Sequence, residues 1–173
     1  MKRTGLSILV LIILMSACTD SRKKQTDKIE ALEYELFSES SGKINQEKTK
    51  LLADSYIAYA DQYPDDSLSP GYLFKAADVH MNLLDPRTAI QLFDRILNNY
   101  PDFEKQAHCL FLKAYVFENE LRILEQARQL YEDFLKKYPN HEFADDAEIS
   151  IKNLGKTPEE LIEEFSKMKQ PEQ

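Results

Sequence analysis

Apolar residues recur along most of this chain at every third or fourth position, and no segment alternates strictly between apolar and polar. The first spacing lines one face of a helix, whereas a half-buried strand needs the second. Ile29, Leu32 and Leu36, with Phe37 beside them, predict a short amphipathic helix over 27–38, broken by Ser38 to Gly42. Longer periodic stretches rich in Ala, Leu, Tyr and Phe predict helices over 44–63, 70–83, 86–99, 103–119, 123–138, 141–154 and 158–168. The expected boundaries carry fitting chemistry. Ser69-Pro70 and Asp85-Pro86 each put a capping side chain ahead of a proline, whose missing N–H is no loss in a first turn. Thr157-Pro158-Glu159-Glu160 does the same and adds a capping box, with Glu160 reaching back to Thr157. Gly155, after Leu154, suits a left-handed helix end. With four glycines and no hairpin-type turn pairs, the expected class is all-α.

The helical pattern repeats itself. A shift of 38 residues superimposes Lys75-Ala76 on Lys113-Ala114, Ala89 on Ala127 and Gln91-Leu92-Phe93 on Gln129-Leu130-Tyr131. In the same register Ile96-Leu97 meets Phe134-Leu135, and Tyr100-Pro101 meets Tyr138-Pro139. An earlier Tyr63-Pro64 stands 37 residues before Tyr100-Pro101. Small residues on successive helices let antiparallel partners approach closely. The aromatic one turn after the second Ala (Phe93 or Tyr131) shares its face and can fill the gap between units. The Tyr-Pro pair ends the second helix, because a residue before proline avoids the α region.

Ala, Ala, aromatic and Pro at these offsets resemble the tetratricopeptide repeat. The resemblance implies packing roles for Ala76, Ala89, Phe93, Tyr100 and Pro101, and for Ala114, Ala127, Tyr131, Tyr138 and Pro139. The period exceeds the family's 34 residues, and Leu73 or Phe111 stands at its first-helix Trp position. The phrase Tyr138-Pro139-Asn140-His141-Glu142-Phe143-Ala144-Asp145-Asp146-Ala147 is similar to a narrower envelope group, that of the β-barrel assembly lipoprotein and the Tol-Pal periplasmic coordinator. The implied architecture is a helical-hairpin solenoid over 44–168, with units at about 70–101 and 108–139, a half unit at 44–64 and a terminal pair at 141–168. The half unit and the terminal pair would cap the stack.

The first residues follow a different rule. Lys2 and Arg3 precede an apolar run from Leu6 to Met15, then Ser16, Ala17 and Cys18, after which the chain turns polar. This is the order of a secretory signal, and the run is too short for the roughly 20 residues that span a bilayer. Met15-Ser16-Ala17-Cys18 resembles the bacterial lipobox, with Met15 where Leu is usual. The resemblance implies cleavage of 1–17 and a covalent diacylglycerol on Cys18; the other reading is an ordinary cleaved signal ending by chance in Cys. Residues 18–43 then comprise the lipidated Cys, a tether with Arg22, Lys23 and Lys24, and the short amphipathic helix. Those basic residues serve either anionic head groups or solvation alone.

Composition narrows the function. The formal net charge of −8 argues against a nucleic-acid partner, which requires a basic face. Of two cysteines, Cys109 lies in the apolar stretch Cys109-Leu110-Phe111-Leu112, so it is expected to be a small buried hydrophobe. His80, His108 and His141 are far apart in sequence and are expected to be isolated, with His80 in a packing role. Asp65-Asp66 and Asp145-Asp146 fall at expected helix starts, where carboxylates favour the dipole. No phosphate loop or nucleophile elbow is present. The expectation is a protein that is not an enzyme, without metal or cofactor beyond the acyl lipid on Cys18.

In a repeat of this kind the first helices line a concave groove, and helical position nominates Lys75, Asp78, Asn82, Lys113, Asn119 and Glu120 as its binding residues. Phe74 and Leu112 occupy one position of the family's clamp for C-terminal carboxylates, so that clamp is unmatched. The expected function is a membrane-anchored periplasmic scaffold that binds envelope proteins in outer-membrane assembly or maintenance. The alternative is a glycan- or peptide-binding lipoprotein accessory to a transporter, although the usual Trp platform is absent. Location rests on the resemblance: in lipoproteins of enterobacterial type a residue other than Asp after the cysteine permits transfer to the outer membrane, so Thr19 implies its periplasmic face in preference to the inner membrane.

Overall fold

The computed structural model describes residues 3–38, 45–83 and 85–168. Among them every regular element is helical. They are α1 (Arg3–Ser38), α2 (Gln46–Gln62), α3 (Ser69–Leu83), α4 (Pro86–Asn99), α5 (Gln106–Tyr115), a π turn (Val116–Glu120), α6 (Leu124–Lys137), α7 (Ala144–Asn153) and α8 (Pro158–Met168). The all-α expectation holds. The break expected over 38–42 falls, after Ser38, outside the described residues. None of the described helices is long and apolar enough to cross a membrane.

The chain divides into two compact units, Met1–Leu84 and Asp85–Gln173. In the first, α2 packs on α3 and α1 packs on α2. Ala53, Ala60, Ala76 and Ala77 are fully buried; their small side chains let helix backbones approach while Tyr59 and Leu73 fill the space between. In the second unit, α4, α5, α6 and α7 pack successively. Its core joins Ala107, Leu110 and Ala114 of α5 to Ala127, Leu130, Tyr131 and Phe134 of α6, and to Ala147 of α7. Ala76, Ala89, Phe93, Ala114, Ala127 and Tyr131 are all inaccessible to solvent. Tyr100 and Tyr138 are half-buried, and Pro101 and Pro139 are exposed.

The Tyr-Pro pairs build one turn three times. Tyr63, Tyr100 and Tyr138 leave the α region with φ near −130°, as a following proline requires. Each Tyr N–H still closes its helix, on Tyr59, Ile96 or Phe134. The Tyr carbonyl then accepts from the N–H three residues on, at 3.0 Å from Asp66, 3.0 Å from Phe103 and 3.1 Å from His141. Those three residues in turn accept from Ser69, Gln106 and Ala144. These turns consume residues 103–105 and 141–143, which the sequence pattern assigns to helix. Their apolar members Phe103 and Phe143 mimic helical periodicity, but the backbone bonds belong to the turn.

Ser69 also differs from expectation. Its hydroxyl donates to the Tyr63 carbonyl at 2.5 Å, so it closes the preceding turn and does not cap α3. Gln106 does the matching job at Tyr100, where its side-chain amide donates at 2.6 Å. The other caps form as expected. Arg87 N–H donates to Asp85 at 3.0 Å, and the Thr157–Glu160 box closes with bonds of 2.8 and 3.2 Å.

The amphipathic helix expected over 27–38 is part of the longer α1, and residues 20–26 of the expected tether are helical too. A polar composition argues against burial but not against helix formation. Lys24 and Asp20 pair one turn apart at 2.6 Å, Arg22 reaches Asp66 at 2.7 Å, and Ser21 accepts from the Tyr63 hydroxyl at 3.2 Å. Ile29 supplies the buried apolar contact of this segment, 2% exposed.

Gly155 has φ +84°, the left-handed geometry expected there. A Cβ would stand 3.1 Å from Leu124 Cδ1. Gly155→Ala is therefore expected to destabilise the chain by about 1–2 kcal/mol from backbone strain alone. Urea unfolding followed by circular dichroism checks this; an unchanged midpoint would contradict it.

Candidate functional site

The nominated groove residues fall into two sets, one in each unit. In the first, Lys75 projects from α3 with half its side chain exposed. Its ammonium pairs with Glu33 of α1 at 2.7 Å and lies 5.6 and 5.7 Å from the ring centroids of Tyr56 and Tyr72. Those rings stack at 5.4 Å, and the Tyr56 hydroxyl donates to Glu33 at 2.5 Å. Asp78 and Asn82 are exposed one turn apart on α3, joined by an Asn82 amide bond of 3.2 Å to the Asp78 carboxylate. Glu30, Glu33, Tyr34 and Ser38 line a shallow depression of about 410 Å³, and Tyr34 is 78% exposed. This face thus combines carboxylates with aromatic surface.

Burial pushes the Glu33 carboxyl upward, but hydrogen bonds from Lys75 and Tyr56 outweigh it and hold the group below its ordinary value. Asp66 behaves alike: burial opposes its charge, while the Leu68 N–H and Arg22 favour it more strongly. A carboxylate lowered by folding stabilises the fold above its unfolded titration range. That stability is lost as pH falls through the folded value. Acidification through the carboxylate range is therefore expected to loosen α1 from its contacts with Lys75 and Asp66. Amide protection factors over residues 27–36, corrected for the intrinsic pH dependence of exchange, should fall at acid pH, and Glu33→Gln should flatten the response. Unchanged protection on both sides of the carboxylate range would contradict the reading.

In the second unit Lys113 is mostly covered and pairs with Asp94 of α4 at 2.5 Å. Asn119 and Glu120 are exposed on the π turn, where Asn119 donates to the Tyr115 carbonyl at 3.2 Å. The π turn ends at Leu121, whose N–H bonds Val116 at 3.1 Å, and Arg122 follows with φ +55°. The expected helix over 103–119 thus finishes in a widened turn. Beneath it the Tyr131 hydroxyl donates to Glu118 at 2.8 Å, which fixes the turn to α6.

Cys109 is fully buried, and burial pushes its thiol up to about 12. Such a thiol is no thiolate nucleophile at neutral pH. His80 is likewise buried. The expected isolation of the other two histidines does not survive folding. His108, at the start of α5, and His141, in the Tyr138-Pro139 turn, meet edge to face at 5.1 Å between ring centroids. Glu142 joins them, 3.6 Å from His108 Nε2. The 33 positions from one histidine to the other hide this contact from spacing rules; the packing of α5 on α6 within one repeat returns the chain to the same place. The side chain of Cys18 lies outside the described residues.

Paired helices joined by tight Tyr-Pro turns, with buried Ala at repeat-related positions, define a helical-hairpin repeat protein. Residues 72–102 and 108–141 match the family model described as tetratricopeptide repeat. The first match takes in α3 and α4, and the second takes in α5, the π turn and α6. No curated protein matches the chain.

Proposed function

We propose that this chain is a lipid-anchored protein-interaction module, held at the periplasmic face of the outer membrane and serving envelope assembly or maintenance. The observation that carries the reading is the pair of tetratricopeptide matches on helices whose outward faces remain polar and exposed. Repeats of this family typically mediate protein–protein contacts. The anchor reading rests on the apolar run that ends at Ser16-Ala17-Cys18. Two acyl chains suffice for stable attachment, at about 0.8 kcal/mol per buried CH₂. Arg22 is held by Asp66, so an anchor at Cys18 leaves a very short leash. The first unit would then meet partners close to the membrane.

The test is chemical crosslinking in cells, purification of the full chain and mass spectrometry. A reproducible envelope protein, lost when Asp78 and Asn82 are both changed to Arg, is expected. Recovery of no specific protein, together with thermal stabilisation by glycans or short peptides, would favour a ligand-binding accessory instead.

A further inference from the structure

His108, His141 and Glu142 come together from two elements of the second unit, and their ligand-type atoms all lie within 4.8 Å of one another. We propose that they form a binding site for a divalent transition cation of the zinc type, one that ties the start of α5 to the turn between α6 and α7.

The donor set suits such an ion. Imidazole is a preferred ligand for zinc, copper and nickel, and a carboxylate completes a common three-ligand arrangement with an open fourth position. Zinc–nitrogen and zinc–oxygen bonds near 2.0–2.1 Å place tetrahedral donors about 3.3 Å apart. His108 Nε2 and the Glu142 carboxylate are already at 3.6 Å. The three ligand atoms lie within 4.8 Å of one another, so closing on an ion takes side-chain rotation, for which Glu142, 70% exposed, has room.

The rings are held in place before any ion arrives. Phe143 packs edge-on against His108 at 5.1 Å and Phe134 against His141 at 5.6 Å. The turn carrying His141 is fixed at both ends, by its own N–H to Tyr138 and by Ala144 N–H to its carbonyl. Such pre-set ligands bind metal at lower ordering cost than mobile ones.

Two features moderate the affinity. The buried Nδ1 of His108 has no hydrogen-bond partner among the described residues, so the outer support that usually orients a ligating histidine is missing on that side. His141 Nδ1 accepts from the Phe143 N–H at 3.2 Å. Ligation by His141 exchanges that contact for the metal or switches the ring's tautomer. A site of about micromolar strength is expected, because a missing outer partner weakens binding roughly 10- to 100-fold.

The experiment titrates zinc into the full-length chain against a chromogenic chelator. Cys18→Ser serves as the background, to remove any unlipidated thiol. One zinc per chain is expected, with an upward shift of the melting temperature. His108→Gln, His141→Gln and Glu142→Gln should each weaken binding more than about tenfold, while His80→Gln leaves it unchanged. Glu142→Gln alters an exposed side chain and keeps the comparison valid if a histidine variant folds poorly. Absence of binding at roughly 100 times micromolar strength, or wild-type affinity in Glu142→Gln or in both histidine variants, would overturn the site.

Discussion

Cys18→Ala is expected to move the chain from the membrane fraction to the soluble fraction and to abolish labelling by palmitate. The lipid is the proposed membrane contact, on the strength of the apolar run that ends at Ser16-Ala17-Cys18. Each buried CH₂ contributes about 0.8 kcal/mol, so losing both acyl chains removes far more than a few surface lysines restore. Lys23 and Lys24 contribute at most about 1 kcal/mol each near an anionic surface. Alkaline extraction of membranes, followed by immunoblotting, separates the outcomes. A Cys18→Ala chain that stays in the pellet and still takes up palmitate would contradict the anchor.

Phe134→Ala is expected to be the most damaging substitution in the folded module. Phe134 is fully buried and sits between Phe111 at 5.5 Å and His141 at 5.6 Å, with Tyr138 at 5.7 Å. Removing a buried phenyl group costs the transfer energy plus the cavity left behind, about 3–5 kcal/mol. For a chain of this size that corresponds to a fall of roughly 10 °C in Tm. Exposed Tyr115 offers the contrast, and Tyr115→Ala should shift Tm little. Calorimetry of the two variants decides the matter. Equal effects would show that the core around Phe134 is not what holds the second unit.

Repetition made much of the fold readable from sequence. The 38-residue register located Ala114, Ala127, Tyr131 and Tyr138, and the three Tyr-Pro pairs turned out to be one hydrogen-bonded turn copied along the chain. Local chemistry also read well, as Gly155 and the Thr157–Glu160 box show. What stayed hidden depends on distant partners. Residues 20–26 read as linker because their composition is polar; their order comes from Asp66 and Tyr63, some forty positions on. Phe103 and Phe143 imitated helix periodicity from within turns. Ser69 looked like a cap because the donor role of its hydroxyl depends on the Tyr63 carbonyl. The His108–His141 contact escaped because metal-spacing rules search within a segment, while here the packing of α5 on α6 closes the distance.

The groove residues divide along similar lines. Lys75 and Lys113 were nominated by helix position, and folding engages both in ion pairs, with Glu33 and Asp94. A partner binding there must exchange or add to those contacts. Asp78, Asn82, Asn119 and Glu120 are exposed and outside those ion pairs.

Photo-crosslinking in cells tests the central claim most directly. A photoreactive residue is placed singly at Asp78, Asn119 or Glu120, and at Asp54 and Glu148 as exposed comparisons. Discrete adducts with an envelope protein are expected from the three nominated positions and none from the comparisons. Identical adduct patterns at all five positions, or no adduct at any, would contradict a protein-binding function for these helices.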